Sequence, residues 1–178
     1  MFVALDLPEP ERGELAAWRD ELVAGRPDLR PVAAESLHVT LAFLGWQDEA
    51  AAEEISEAAF GAAARSAAPV LVPGGVRALP PRGARLFALD LEDEEGRCTG
   101  LQDAVSRALS AERHYKPEKR PFWPHVTLAR VKRGARAGPL PDLSPPASPM
   151  RAAELILYRS SLRPQGAVYD VLARLRLG

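Results

Sequence analysis

The chain contains one five-residue phrase twice, as His38-Val39-Thr40-Leu41-Ala42 in its first half and His125-Val126-Thr127-Leu128-Ala129 in its second. The two copies hold two of the three histidines in 178 residues. Each copy is rich in residues that favour strands, and successive side chains of a strand point to opposite faces. Each copy therefore puts its His and Thr on one face and its Val and Leu on the other. If the two strands lie side by side, two imidazoles and two hydroxyls share one cleft.

The sequence around the two copies predicts a mixed α/β chain in which helices lie between strands. Apolar residues recur at helical spacing over 9–25, 48–65 and 97–112, and Asp48 is a predicted N-cap. Runs typical of strands cover 1–7, 37–44, 69–79, 84–91, 122–132, 155–160 and 168–173. Pro164-Gln165-Gly166 is the predicted turn between the last two. Five prolines make 138–149 an irregular connection.

The spacing and composition indicate how the chain is organised. The His strands lie 87 residues apart, about half of the chain, which predicts one domain over 1–178 made of two related lobes. A hydrophobic content of 47% is enough for a buried core. No apolar run approaches the ~20 residues of a membrane-spanning helix, so no membrane association is expected. A single cysteine, Cys98, excludes an internal disulfide and favours a cytoplasmic location.

Charge is distributed unevenly, although the formal net charge is only −1. Residues 47–57 and 90–95 each hold five acids and no base. Residues 113–136, which surround the second phrase, hold eight bases and one acid. A local positive field suits an anionic substrate such as a nucleotide or an RNA end. A solvated loop with a charge bias is the alternative interpretation.

Two facing imidazoles are suited to acid–base catalysis at a phosphate ester. The unperturbed histidine pKa of ~6.5 allows one ring to take a proton while the other gives one. Thr40 and Thr127 share the face of the imidazoles and can donate hydrogen bonds to phosphate oxygens. A metal site is the competing interpretation, but no carboxylate accompanies either phrase, and no metal is expected. The sequence has no motif for ATP or a dinucleotide, so no cofactor is expected either.

The two phrases, with their surroundings, resemble a known family. The motifs lie within Leu37–Gly45 (LHVTLAFLG) and Arg120–Arg130 (RPFWPHVTLAR). The opening Phe2–Pro8 and the closing Leu157–Ser160 and Gly166–Leu172 extend the resemblance over nearly the full length. The pattern is similar to that of the two-histidine phosphoesterases, specifically the RNA 2′,3′-cyclic phosphodiesterases that are also called 2′-5′ RNA ligases.

The resemblance implies a fold and an activity. The fold would be α/β (α+β) and bilobal, with two pseudo-symmetric lobes whose antiparallel or mixed sheets line a central groove, and with helices outside. The activity would be hydrolysis of a 2′,3′-cyclic phosphate at an RNA end to a 2′-phosphate, without metal or ATP. His38 would be the proton donor and His125 the proton acceptor, while Thr40, Thr127 and Arg130 would bind substrate. A 5′-hydroxyl in place of water would give 2′-5′ ligation.

Side-chain alternation raises questions about the residues near the two phrases. Arg130 has the opposite parity to the histidine before it, so it reaches the cleft only if the strand twists or bulges, or from the rim. Phe43 has core parity and is expected in the core. Trp123 shares the parity of the second histidine and would either stack a base or pack against the basic loop. His114 lies outside any motif and is expected at the surface.

The sequence therefore predicts a monomeric RNA 2′,3′-cyclic phosphodiesterase of the two-histidine type. One alternative is a related phosphodiesterase that acts on small cyclic nucleotides or 2′-5′ oligonucleotides. The other is a non-catalytic module that binds RNA ends. Two complete motifs favour catalysis, because binding alone would not need two imidazoles.

Overall fold

The computed structural model describes residues 1–163 and 166–178, so the turn predicted at Pro164-Gln165-Gly166 includes two residues, 164 and 165, outside the described part. Within these ranges the α-helices are α1 (Glu9–Leu22), α2 (Ala52–Ala63) and α3 (Arg97–Ala111). The strands there are β1 (Phe2–Asp6), β2 (Leu29–Pro31), β3 (His38–Phe43), β4 (Val70–Leu79), β5 (Leu86–Glu92), β6 (His125–Val131), β7 (Met150–Arg151), β8 (Glu154–Arg163) and β9 (Gly166–Arg176). None of the helices described is long and apolar enough to cross a membrane.

The nine described strands form one sheet in the order β7-β4-β5-β6-β3-β1-β8-β9, with β2 paired to β6. All of the strand pairs in the described ranges are antiparallel. The two strands that carry the repeated phrase are neighbours near the centre, where Val39 faces Val126. The strands thus lie side by side, which is the condition for two imidazoles and two hydroxyls to share one cleft. Sequence analysis missed β2 and β7, because three and two residues are too few to show a period of two.

Helix ends differ slightly from the predicted ones. The first helix ends at Leu22, and the chain then turns through Gly25, whose φ of 69° suits a residue without a Cβ. The carboxylate of Asp48 accepts a hydrogen bond of 3.0 Å from the backbone N–H of Ala50. It caps a 3-10 turn at Glu49–Ala51, and α2 continues directly from that turn.

The two faces of the sheet have different roles. One face carries Val39 and Val126 and packs against the apolar sides of the helices in the main core. Burial removes their side chains from water, and each fully buried Leu or Val contributes about 1.5–3 kcal/mol. The main core includes these helical residues: Leu15, Trp18, Leu22, Ile55, Ala59, Leu101, Val105 and Leu109. The opposite face carries both histidines and stays accessible.

A second repeated phrase lies in the strands that flank the histidine strands. Ala4-Leu5-Asp6-Leu7 begins in β1, and Ala88-Leu89-Asp90-Leu91 lies in β5. The aspartate of each copy faces the histidine of the neighbouring strand, Asp6 opposite His38 and Asp90 opposite His125. The pairs β1–β3 and β5–β6 therefore repeat one register. This second repeat is present in the amino-acid sequence but is not among the features predicted from it.

Each histidine strand has a β-bulge at the fourth residue of its phrase. The pairing of β1 with β3 skips Leu41, and the pairing of β5 with β6 skips Leu128. One extra residue inverts the alternation of side chains beyond it. Phe43 and Arg130, the residues that directly follow the two phrases, therefore return to the face of the histidines. The bulge at Leu128 therefore explains how Arg130 lies on the face of the histidines although its position in the sequence has the opposite parity.

Candidate active site

A cavity of about 110 Å³ opens on the histidine face of the sheet. It brings together all of the site residues nominated from the sequence: His38, Thr40, His125, Thr127 and Arg130. The other lining residues are Phe2, Val32, Ser36, Phe43, Ser160 and Tyr169. They come from β1, β3, β8, β9 and the segment after β2, so the sheet curls around the cavity.

Backbone carbonyls hold the two imidazoles in the same way. Nδ1 of His38 donates to the carbonyl oxygen of Ser36 at 2.8 Å, and Nδ1 of His125 donates to that of Trp123, also at 2.8 Å. A carbonyl oxygen can only accept, so each Nδ1 carries a proton. Nε2 is then the nitrogen of each ring that can exchange a proton with a bound molecule. Nε2 of His38 also lies 3.1 Å from the hydroxyl oxygen of Thr40.

Aromatic rings enclose His38. Its ring stacks on Phe2 with centroids 4.9 Å apart and meets the edge of Tyr169 at 5.3 Å. The pKa of His38 is lowered to about 4, chiefly because the ring is buried. The hydrogen bond to Ser36 opposes this by raising the pKa, and the positive charges of His125 and Arg130 add to the lowering. The imidazole of His38 is therefore neutral at neutral pH when the cavity holds no anion.

Trp123 holds His125 from two sides. Besides its carbonyl contact, its indole stacks on the imidazole with centroids 4.1 Å apart and planes 12° apart. The indole Nε1 donates to the Asp90 carboxylate at 3.0 Å, and the guanidinium of Arg77 lies 5.3 Å from the indole centroid. The indole face that could have stacked a base is thus occupied by His125. The two roles expected for Trp123 from the sequence, stacking on a base and packing against the basic loop, do not include stacking on His125.

Two residues lie elsewhere than the sequence indicated. Phe43 was expected in the core, but its side chain is 65% exposed and lines the cavity because the bulge at Leu41 turns it outward. His114 was expected at the surface, but only 13% of its side chain is exposed. Its Nε2 lies 3.3 Å from a carboxylate oxygen of Glu54. Both predictions were wrong.

The sequence pointed neither to Val32 and Ser36 nor to three lining residues on β1, β8 and β9, which are Phe2, Ser160 and Tyr169. All three lie in the segments that carried the family resemblance, but no motif there pointed to the cavity. Asp90 was missed too, and its signal was the second repeated phrase. No group of three or more His, Cys, Asp or Glu side chains in the described ranges is arranged to hold a metal ion.

Comparison with protein families matches residues 7–162 to the 2′-5′ RNA ligase superfamily. The chain belongs to this superfamily. An RNA 2′,3′-cyclic phosphodiesterase of Aeropyrum pernix is 31% identical over 169 residues, which cover 90% of this chain and 93% of that protein.

Solved structures of similar proteins show the same fold. The protein TT0787 of Thermus thermophilus matches with a TM-score of 0.85 and 28% identity, over 99% of this chain and 96% of that one. Escherichia coli LigT, in a complex with 3′-AMP, matches with a TM-score of 0.77 and 28% identity, again over 99% and 96%. These matches confirm the family and the α+β fold class that the resemblance implied.

Proposed function

We propose that the chain is an RNA 2′,3′-cyclic phosphodiesterase, which opens the cyclic phosphate at an RNA 3′ end and leaves a 2′-phosphate. One observation carries the proposal: two imidazoles, each held by the carbonyl two residues earlier, line one cavity with two threonines and an arginine. The name of the Aeropyrum pernix relative supports the substrate.

The two histidines divide the proton transfers. Nε2 of His125 takes a proton from a water molecule while the water oxygen bonds to phosphorus. The bond between phosphorus and O3′ breaks, and the proton on Nε2 of His38 passes to O3′. The phosphate stays on O2′. One water is consumed, His125 has gained a proton and His38 has lost one. Transfer of a proton back from His125 to His38 restores both residues.

Protonation of His38 depends on the substrate in this scheme. With a pKa of about 4, His38 is neutral in the empty cavity and cannot give a proton. A cyclic phosphate brings one negative charge, which favours the imidazolium and offsets the repulsion from Arg130. His38 therefore becomes protonated when the substrate binds. The hydroxyl of Thr40, which donates a hydrogen bond to Nε2 in the empty cavity, then accepts one from it.

The remaining polar groups stabilise charge on the phosphate. Thr40 and Thr127 follow their histidines by two residues and face the same cavity, so their hydroxyls can donate to non-bridging oxygens. The guanidinium of Arg130 supplies a fixed positive charge with several donors, which suits the negative charge that develops during attack. These three residues thus bind the substrate in the transition state.

The same geometry supports a second reaction, in which an RNA hydroxyl replaces water as the nucleophile. If a 5′-hydroxyl of a second RNA takes the place of water, His125 activates that hydroxyl and the product is a 2′-5′ linkage.

We also propose that the chain acts as a single domain, as a monomer and in the cytoplasm. A buried Cys98, the one cysteine of the chain, fits a reducing compartment.

The deciding experiment uses an RNA that ends in a 2′,3′-cyclic phosphate, incubated with the protein in EDTA and ¹⁸O-labelled water. We expect a 2′-phosphate that contains one ¹⁸O, identified by mass spectrometry and by chromatography against 2′- and 3′-phosphate standards. His38→Ala and His125→Ala should each lower kcat by about 10²–10⁴. His114→Ala is the matched control, because His114 does not line the cavity.

The other outcomes distinguish the alternatives. Turnover of cyclic mononucleotides but not of RNA would indicate a small-molecule phosphodiesterase. Binding of the RNA without any product would indicate an RNA-end binding module. Loss of activity in EDTA, restored by a divalent metal, would contradict a mechanism based on histidines alone.

A further inference from the structure

A second arginine lies beside Arg130 on the histidine face. Strand β2 pairs with β6 in a register that puts Arg30 directly opposite Arg130. Cross-strand partners share one face of a sheet, and their Cβ atoms lie ~5 Å apart. Arg130 lines the cavity, so Arg30 stands on the same face one strand further along. Its side chain is exposed.

This pair has no counter-charge within the described part of the chain. Like charges directly opposite each other destabilise a sheet. Ion pairs join Arg12, Arg26 and Arg77 to carboxylates, whereas none of the ion pairs between described residues includes Arg30 or Arg130. Two arginines on directly opposed residues, neither of them in an ion pair between described residues, can bind anions with both guanidiniums.

The side chain of Arg30 also reaches strand β9. A methyl group placed on Gly166 would lie 3.5 Å from Nη1 of Arg30 and 3.6 Å from its Cζ. Gly166 begins β9, the strand that carries Tyr169 into the cavity lining. The side chain of Arg30 therefore reaches from β2 to the start of β9, and it is not part of the cavity lining.

We propose that Arg30 binds the phosphate on O5′ of the terminal nucleotide while Arg130 binds the cyclic phosphate. The proposal rests on the proposed function and names the part of the RNA that the chain recognises. One ribose separates the two phosphates of a nucleotide, and cross-strand arginines are spaced for two neighbouring anions. Both phosphates are anionic at neutral pH, and a guanidinium binds phosphate oxygens in a bidentate manner.

This second site separates RNA ends from free nucleosides. A nucleoside 2′,3′-cyclic phosphate has no phosphate on O5′ and engages Arg130 only. A 5′-phosphorylated nucleoside 2′,3′-cyclic phosphate, and any RNA, also engages Arg30. The chain therefore prefers substrates that carry a 5′ phosphate group, whether as a monoester or as the next link of the chain.

The test compares three substrates with wild type, Arg30→Gln and Arg107→Gln. The substrates are a nucleoside 2′,3′-cyclic phosphate, its 5′-phosphorylated form, and a dinucleotide with the same cyclic end. Arg107→Gln is the matched control, since it removes an equal charge from a side chain that is 75% exposed on α3. We expect Arg30→Gln to lower kcat/KM about tenfold for the two substrates with a 5′ phosphate. The value for the substrate without a 5′ phosphate should stay unchanged.

Salt dependence provides a second readout. For the dinucleotide, the slope of log kcat/KM against log salt should be less negative by about 0.7 in Arg30→Gln than in wild type. Equal losses on all three substrates, or no loss on any, would overturn the proposal. A selective loss in Arg107→Gln of the same size would also overturn it. Failure of the proposed function is a separate result, because the wild type itself would then fail to turn over the dinucleotide.

Discussion

Binding of an anion in the cavity is expected to raise the pKa of His38 from about 4 to about 7. Burial and two positive neighbours set the value in the empty site. A unit negative charge about 4 Å from Nε2 favours the imidazolium by about 4 kcal/mol at the effective dielectric of a protein surface. That energy corresponds to a rise in pKa of about 3. The histidine then becomes a proton donor at neutral pH only with an anion present.

Nuclear magnetic resonance of the imidazole nitrogens measures this rise directly. The chain has three histidines, so the His114→Gln and His125→Gln variants assign the spectrum. Chemical shifts are followed from pH 3 to 8 without ligand and with saturating inorganic phosphate. We expect Nε2 of His38 to titrate near pH 4 in the first series and near pH 7 in the second.

Two results would refute this reasoning. A pKa near 6.5 in the empty site would mean that the aromatic enclosure does not disfavour the charged ring. A pKa that stays below about 5 with phosphate bound would leave His38 unable to donate, and His125 would then be the group that protonates O3′.

Three further predictions follow from the same contacts. Because the pKa of His38 is lower than in the unfolded chain, the unfolded state binds more protons between about pH 4 and 6.5. The free energy of unfolding should therefore fall by up to about 3 kcal/mol as pH drops through that window, and His38→Gln should remove this part of the fall in urea titrations. Leu41→Ala should cost about 2–5 kcal/mol of stability, whereas Phe43→Ala should cost less than about 0.5; equal costs would contradict the bulge. Asp90→Asn, which weakens the hydrogen bond to the indole on the second histidine, should lower kcat about tenfold with KM unchanged, and near-ultraviolet circular dichroism should report the loosened indole.

The sequence predicted the site better than it predicted the surroundings of the site. Strand alternation alone assigned His38, Thr40, His125 and Thr127 to one face, and pairing of their strands brings them to one cavity. The register between β3 and β6 follows from the hydrophobic pattern, because both strands bury their valines on the helical side. The family resemblance then supplied Arg130, which alternation by itself assigned to the wrong face.

Phe43 shows why alternation failed after the phrase. A bulge adds one residue to a strand without changing its composition, so a period of two cannot reveal it. A comparison of the two copies points to the bulge, because the residue after one phrase is aromatic, Phe43, and the residue after the other is charged, Arg130. A charged side chain at that position in one copy argues against burial of its counterpart.

His114 and Trp123 illustrate a different limit. The positions of both side chains depend on partners far away in sequence, Glu54 on α2 and Asp90 on β5. Local pattern contains no information about such partners. The repeated Ala-Leu-Asp-Leu of β1 and β5 is the exception, because it predicts by symmetry that each aspartate accompanies a histidine.

The paired bulges also decide which way round a bound molecule lies. A frame with two equivalent halves offers the same groups to both ends of a ligand and cannot tell them apart. At the residue that directly follows each phrase the halves differ, because one presents an uncharged aromatic ring, Phe43, and the other a cation, Arg130. Without the bulges both side chains would be hidden, and this difference between the halves would be lost. The extra residue in each strand thus makes the two halves of the cavity chemically different, so that the two ends of a bound molecule meet different groups.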